Sequence, residues 1–135
     1  MSCTLTNTNI GNYDIKFYVG DDEDFTFIWK VPTEITDSEG EVTIELLPVN
    51  LTGWSSDMHV KETIDGVTEL TKVGVVVGVE GKTTYSFTSV ELRTLFGTAY
   101  LNKEYIYDVQ MTDPSTKKDT ILVGKLLLRN DITQI

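Results

Sequence analysis

At 135 residues, 40% of them hydrophobic and 24% charged, the chain is long enough for one domain with a real core and too apolar to stay disordered. Eleven basic against 21 acidic residues give a formal charge of −10, which argues against nucleic acid or an anionic membrane as the main ligand. Cys3 is the one cysteine and His59 the one histidine, so an intrachain disulfide is excluded and a protein-only zinc site is not expected.

Residues 1–12 carry little core-forming pattern and read as an N-terminal arm that docks on the domain's own sheet or on a neighbour. From residue 13 the period is two. Tyr13, Ile15, Phe17 and Val19 alternate with Asp14, Lys16 and Tyr18, which predicts a first strand. After Gly20-Asp21-Asp22, Phe25, Phe27 and Trp29 share one face of a second. Residues 31–41 form a polar connection with a tip at Ser38-Glu39-Gly40-Glu41, and 42–47 alternates again up to Pro48, as an edge hairpin would. In the next strand Trp54, Ser56, Met58 and Val60 point inward, and Ser55, Asp57, His59 and Lys61 point outward.

Ile64-Asp65-Gly66-Val67 carries the signal of a tight hairpin. In 70–79 the valines 73, 75, 77 and 79 share a parity, with Gly74 and Gly78 opposite; the valine side is expected to face the core. Tyr85 and Phe87 point together in 83–88. The period then changes: Val90, Leu92, Leu95 and Phe96 fit a short helix near 89–96. Thr88-Ser89-Val90-Glu91 supplies its capping box and Gly97 its stop. Strands at 104–112 and 119–129 follow, joined at Asp113-Pro114-Ser115-Thr116.

These elements predict an all-β domain over 13–130, an antiparallel sandwich of about 7–9 strands with one bridging helix, and a tail at 131–135. Its expected core is Phe27, Trp29, Trp54, Met58, Val60, Val75, Val77, Tyr85, Phe87, Leu92, Leu95, Tyr107, Val109 and Met111. Tyr105 or Tyr107 is placed to donate its hydroxyl to nearby backbone, as a tyrosine corner does.

Little in the sequence carries chemistry. Asp21-Asp22-Glu23-Asp24 is densely acidic but lacks the spacing and closing glutamate of an EF-hand; it reads as a solvated turn, with cation binding left open. His59 stands without a nucleophile motif. Asn50-Leu51-Thr52 fits the glycosylation pattern, but the N-terminus has neither the basic start nor the apolar block of a secretion signal, so Asn50 reads as a turn residue. The glycines at 74 and 78 lack the Lys-Ser/Thr of a phosphate loop and mark close approach of a backbone or ring. No catalytic, cofactor or metal residues are assigned.

The run Gly20-Asp21-Asp22 with Phe25-Thr26-Phe27, then Leu51-Thr52-Gly53-Trp54, Tyr105-Ile106-Tyr107-Asp108-Val109 and Gly124-Lys125-Leu126 resembles a group of small bacteriophage virion proteins. These are similar to the immunoglobulin-like N-terminal domain of phage baseplate upper proteins. The resemblance covers roughly residues 13–130. The link from Trp29 to Leu51 looks longer than the family's usual connection, and no fibre segment is expected after the domain. The resemblance implies an immunoglobulin-like sandwich and no catalytic residues.

The expected function is therefore a non-enzymatic virion protein, made in the host cytoplasm, that docks other virion proteins at the tail or baseplate or adapts fibres. A homo-oligomer or symmetric array is expected, with neither nucleic acid nor membrane as partner. A capsid decoration protein is the alternative in the same class. A carbohydrate-binding module, which needs two or three rings on a wet face, is the alternative from another.

Overall fold

A computed structural model describes residues 2–6, 11–99 and 101–130. Among these residues eleven strands build two sheets of a β-sandwich. Sheet A contains β1 (Ser2–Leu5), β4 (Glu23–Thr36), β5 (Val42–Pro48), β8 (Val75–Val77) and β9 (Lys82–Phe87). Sheet B contains β2 (Gly11–Asn12), β3 (Ile15–Val19), β6 (Ser55–Lys61), β7 (Thr68–Val73), β10 (Asn102–Thr112) and β11 (Lys118–Asn130). The order is β1-β4-β9-β8 in sheet A, with β5 also on β4, and β2-β11-β10-β6-β7 in sheet B, with β3 also on β11.

The core lies where the alternation puts it. Phe17, Phe25, Phe27, Met58, Val60, Tyr85, Phe87, Val109, Met111, Leu126 and Leu128 are all buried between the sheets. Trp29 and Trp54 are half-buried and meet edge to face, with ring centroids 6.1 Å apart. One hydroxyl bond ties the sheets together, Ser56 on β6 pairing with the Tyr85 hydroxyl on β9; another braces sheet B, the Tyr107 hydroxyl on β10 donating to the Tyr13 carbonyl between β2 and β3. Burial pushes both phenols well above their ordinary pKa, so they stay neutral.

Helix α1 (Ser89–Phe96) carries the chain from sheet A to sheet B and buries Leu92, Leu95 and Phe96. Its start is the expected capping box, with the Glu91 N–H donating to Thr88 Oγ1 and the Thr88 N–H to the Glu91 carboxylate. Tyr105 donates its hydroxyl to the Leu95 carbonyl, which is the expected tyrosine corner.

Two features differ from the sequence reading. First, the pairing is not purely antiparallel: β1 runs parallel to β4, and β2 and β3 run parallel to β11. Ser2–Leu5 is thus a strand of the domain's own sheet, with Leu5 buried and Cys3 half-buried; residues 1, 7–10 and 131–135 lie outside the described residues. Second, Val75 and Val77 are not core. They are 68% and 38% exposed, and Gly74 and Gly78 face inward instead. A Cβ on Gly74 would sit 2.8 Å from the Tyr85 ring, and one on Gly78 would sit 2.7 Å from the Thr52 backbone. The volume a valine would fill is already taken by the ring and by the Leu51-Thr52 turn. Gly74 is also where the chain changes sheets, its N–H bonding the Ser56 carbonyl.

Both corrections can be tested together. Leu5→Ala should cost about 2–4 kcal/mol, because a buried leucine is removed. Gly74→Ala should cost about 1–3 kcal/mol through overpacking against Tyr85. Urea midpoints unchanged by either substitution would contradict the docking of β1 or the inward glycine.

Candidate interaction surface

The outer face of sheet A mixes apolar and polar side chains with a few charges, Asp24, Lys30, Glu34 and Lys82. Even-numbered residues of β4 point outward, and β9 sets Thr84 beside Thr26 and Lys82 beside Ile28. Val75 and Val77 of β8 extend the same face beyond β9. Past Lys30 the strand leaves the body of the sandwich and pairs with β5 alone, in the register Pro32↔Leu46, Glu34↔Ile44 and Thr36↔Val42. Residues directly opposite in an antiparallel pair share a face, so Pro32, Leu46, Ile44 and Val42 continue the outer face of sheet A along the hairpin.

Every residue of β5 is exposed, Val42 at 56% and Ile44 at 70%. Burying one such side chain is worth about 1.5–3 kcal/mol, which makes this exposed row the candidate interaction surface. The hairpin is nevertheless well formed. At its tip the Asp37 carboxylate accepts the Glu39 and Glu41 N–H groups at 2.8 and 2.9 Å, and Gly40 supplies the positive φ. At its base the Val49 N–H donates to the Trp29 carbonyl, and Asn50 accepts both the N–H and the hydroxyl of Thr52, the turn role expected of it.

The outer face of sheet B is of another kind. His59 on β6 lies directly opposite Asp108 on β10, with Nδ1 2.9 Å from Oδ1, and Lys61 reaches the other oxygen at 3.9 Å. Beside them is an open groove of about 530 Å³ lined by Asp14, Lys61, Ile106, Asp108, Val123 and Lys125. Sequence reasoning placed His59 outward but missed Asp108, which becomes its neighbour only through the β6–β10 register. The pair is a cross-strand hydrogen bond on a wet face, of a kind worth little individually.

The acidic turn has local work. Asp22 accepts the Ser89 N–H at 2.7 Å at the start of α1, and Glu23 accepts the Tyr18 N–H at 3.2 Å. Among the described residues no group of three metal-ligating side chains comes together. Burial pushes the Cys3 thiol up to about 11, so it is protonated at neutral pH and a poor nucleophile. Among the described residues Tyr18, at 51%, is the aromatic ring that stands exposed. The described residues hold no helix long and apolar enough to cross a membrane.

No protein-family model matches the chain, and a search of curated proteins finds no match.

The helix start gives a pH signature. Partial burial pushes the Glu91 carboxyl up, but the Thr88 N–H and the Lys72 ammonium at 3.0 Å outweigh it and hold the group below its ordinary 4.5. A carboxyl lowered by folding stabilises the fold above its unfolded pKa, and that contribution is lost as pH falls through the folded value. Glu91→Gln should therefore be less stable than the parent at neutral pH and should lose less of its stability between about pH 5 and pH 3. Parallel acid-denaturation curves would show that the contact contributes nothing.

Proposed function

We propose that this protein is a non-enzymatic structural component of a bacteriophage virion, a tail or baseplate part or fibre adaptor that works by docking other virion proteins. The observation that carries the docking reading is the exposed apolar row Val42, Ile44 and Leu46 on a hairpin projecting from the sandwich, continuous with the outer face of sheet A. The virion assignment rests on the resemblance of the Leu51–Trp54, Tyr105–Val109 and Gly124–Leu126 segments to small virion proteins; the β-sandwich fold agrees with it and is shared by many other functions. A carbohydrate-binding module has less support, because among the described residues Tyr18 offers one exposed ring where a sugar platform needs several.

The test is made on particles. Immunogold labelling of intact virions should place the protein on the tail; label on the head would favour the decoration reading, and no label would defeat both. A double variant, Ile44→Lys with Leu46→Lys, should keep the parental melting curve and lose incorporation, whereas His59→Ala should be incorporated normally. Full occupancy by the double variant would remove the hairpin from the docking surface.

A further inference from the structure

We infer that β5 is a self-complementary edge, and that two copies of this chain join by pairing β5 with β5 about a two-fold axis through Ile44. The inference deepens the docking reading of the hairpin and rests on it for the surface, though not for the virion.

The backbone fixes which residues are available. In the hairpin the Val49 N–H donates to the Trp29 carbonyl and the Asp37 N–H to the Glu41 carbonyl. Hydrogen-bonded pairs alternate along an antiparallel ladder, so the odd residues of β5, Thr43, Glu45 and Leu47, face β4. The even residues Val42, Ile44 and Leu46 then turn their N–H and C=O groups toward the free side. Among the described residues no strand pairs with that side. The hairpin's other edge is less suitable, because Pro32 removes a donor from the middle of it. On β5 the one proline, Pro48, closes the strand at its base.

For a second copy as the partner, backbone and charge select the register. A second copy related by a two-fold axis perpendicular to the sheet presents the same strand antiparallel with the same face up. Only even-numbered centres use the free backbone groups; centring on Val42 sets Glu39 against Glu45, and centring on Leu46 places Pro48, which has no N–H, in the hydrogen-bonded position opposite Ile44. Centring on Ile44 opposes Ile44 to Ile44, Val42 to Leu46 and Thr43 to Glu45, with no like charges facing. It also makes Ile44 and each Val42–Leu46 position a hydrogen-bonded pair, as the free donors require. The two apolar rows then merge into one strip on one side of a continuous sheet. The contact is a single strand pair, well short of the ~1,200 Å² of a stable complex, so the dimer is weak and concentration-dependent.

The test uses the purified full chain. Sedimentation velocity over a concentration series should show a monomer–dimer equilibrium. Thr43→Lys, which faces Glu45 of the second copy, should tighten it severalfold, and Thr43→Glu should loosen it by a similar factor, with dilute-sample melting curves checking the fold. In a Cys3→Ser background with diamide as oxidant, Ile44→Cys should cross-link to itself, since the ~5.5 Å Cα separation of such a pair lies within disulfide range. Val42→Cys and Leu46→Cys should each fail alone and cross-link when mixed. A monomer at every concentration, or self-cross-linking of Leu46→Cys equal to that of Ile44→Cys, overturns the proposal. Either result leaves the virion localisation to be judged on particles, and a dimer whose antibody finds no virion would stand without that reading.

Discussion

Both flanks of the sandwich depend on a segment that changes sheets. On one flank the chain passes from β1, beside β4, to β3, beside β11; on the other it passes from β7, beside β6, through Gly74 to β8, beside β9. A single chain can serve both sheets only where it can cross the gap without a side chain in the way. At Gly74 the Tyr85 ring fills the place a Cβ would need. The Tyr85 hydroxyl then pairs with Ser56 on the opposite sheet, so the same ring that requires the glycine also ties the sheets together. Such a bond counts because both partners are buried and an unpaired hydroxyl there would be costly.

The sheet-switching segments leave short strands at the sides of the sandwich. An edge of three to six residues with its inner face on the core offers little to a passing strand. β5 is different: seven residues, exposed throughout, held by one neighbour and apolar on one face. It carries no lysine and no bulge, the usual means of keeping an edge solitary. Retaining such a strand on a strongly acidic domain is a cost, for which the proposed docking role would account. The charge-rich face of sheet B, with His59, Lys61 and Asp108 satisfying one another, is suited to water.

Much of this was legible in the sequence, and the failures have physical causes. Where one parity was apolar and the other polar, as in Ile15–Val19 and Ser55–Lys61, the inner face was read correctly. The helix, its capping box and the tyrosine corner were legible because each is set by residues close in sequence. At 70–79 both parities lacked charge at the critical positions, and hydrophobicity alone favoured the valines. The opposing signal was the repeated glycine, already readable as a mark of close approach, whose consequence for the register was not followed through. The parallel pairing of β1 had no local signal, since it is set by Phe27 and Trp29 more than twenty positions away. His59 and Asp108 were likewise joined only by the register between β6 and β10. The hairpin at 42–47 was recognised as an edge, but its apolar face became visible only with the Pro32–Leu46 and Glu34–Ile44 pairings.

The central claim is that β5 is a fully formed strand whose outer backbone groups await a partner. Residue-resolved amide hydrogen exchange on a dilute sample measures this directly. The account predicts alternation along the strand: slow exchange at Thr43, Glu45 and Leu47, which bond to β4, and fast exchange at Val42, Ile44 and Leu46. Uniformly fast exchange would mean the hairpin is not formed, and slow exchange at all of these amides in the dilute monomer would mean the edge is already covered; either result would contradict the account.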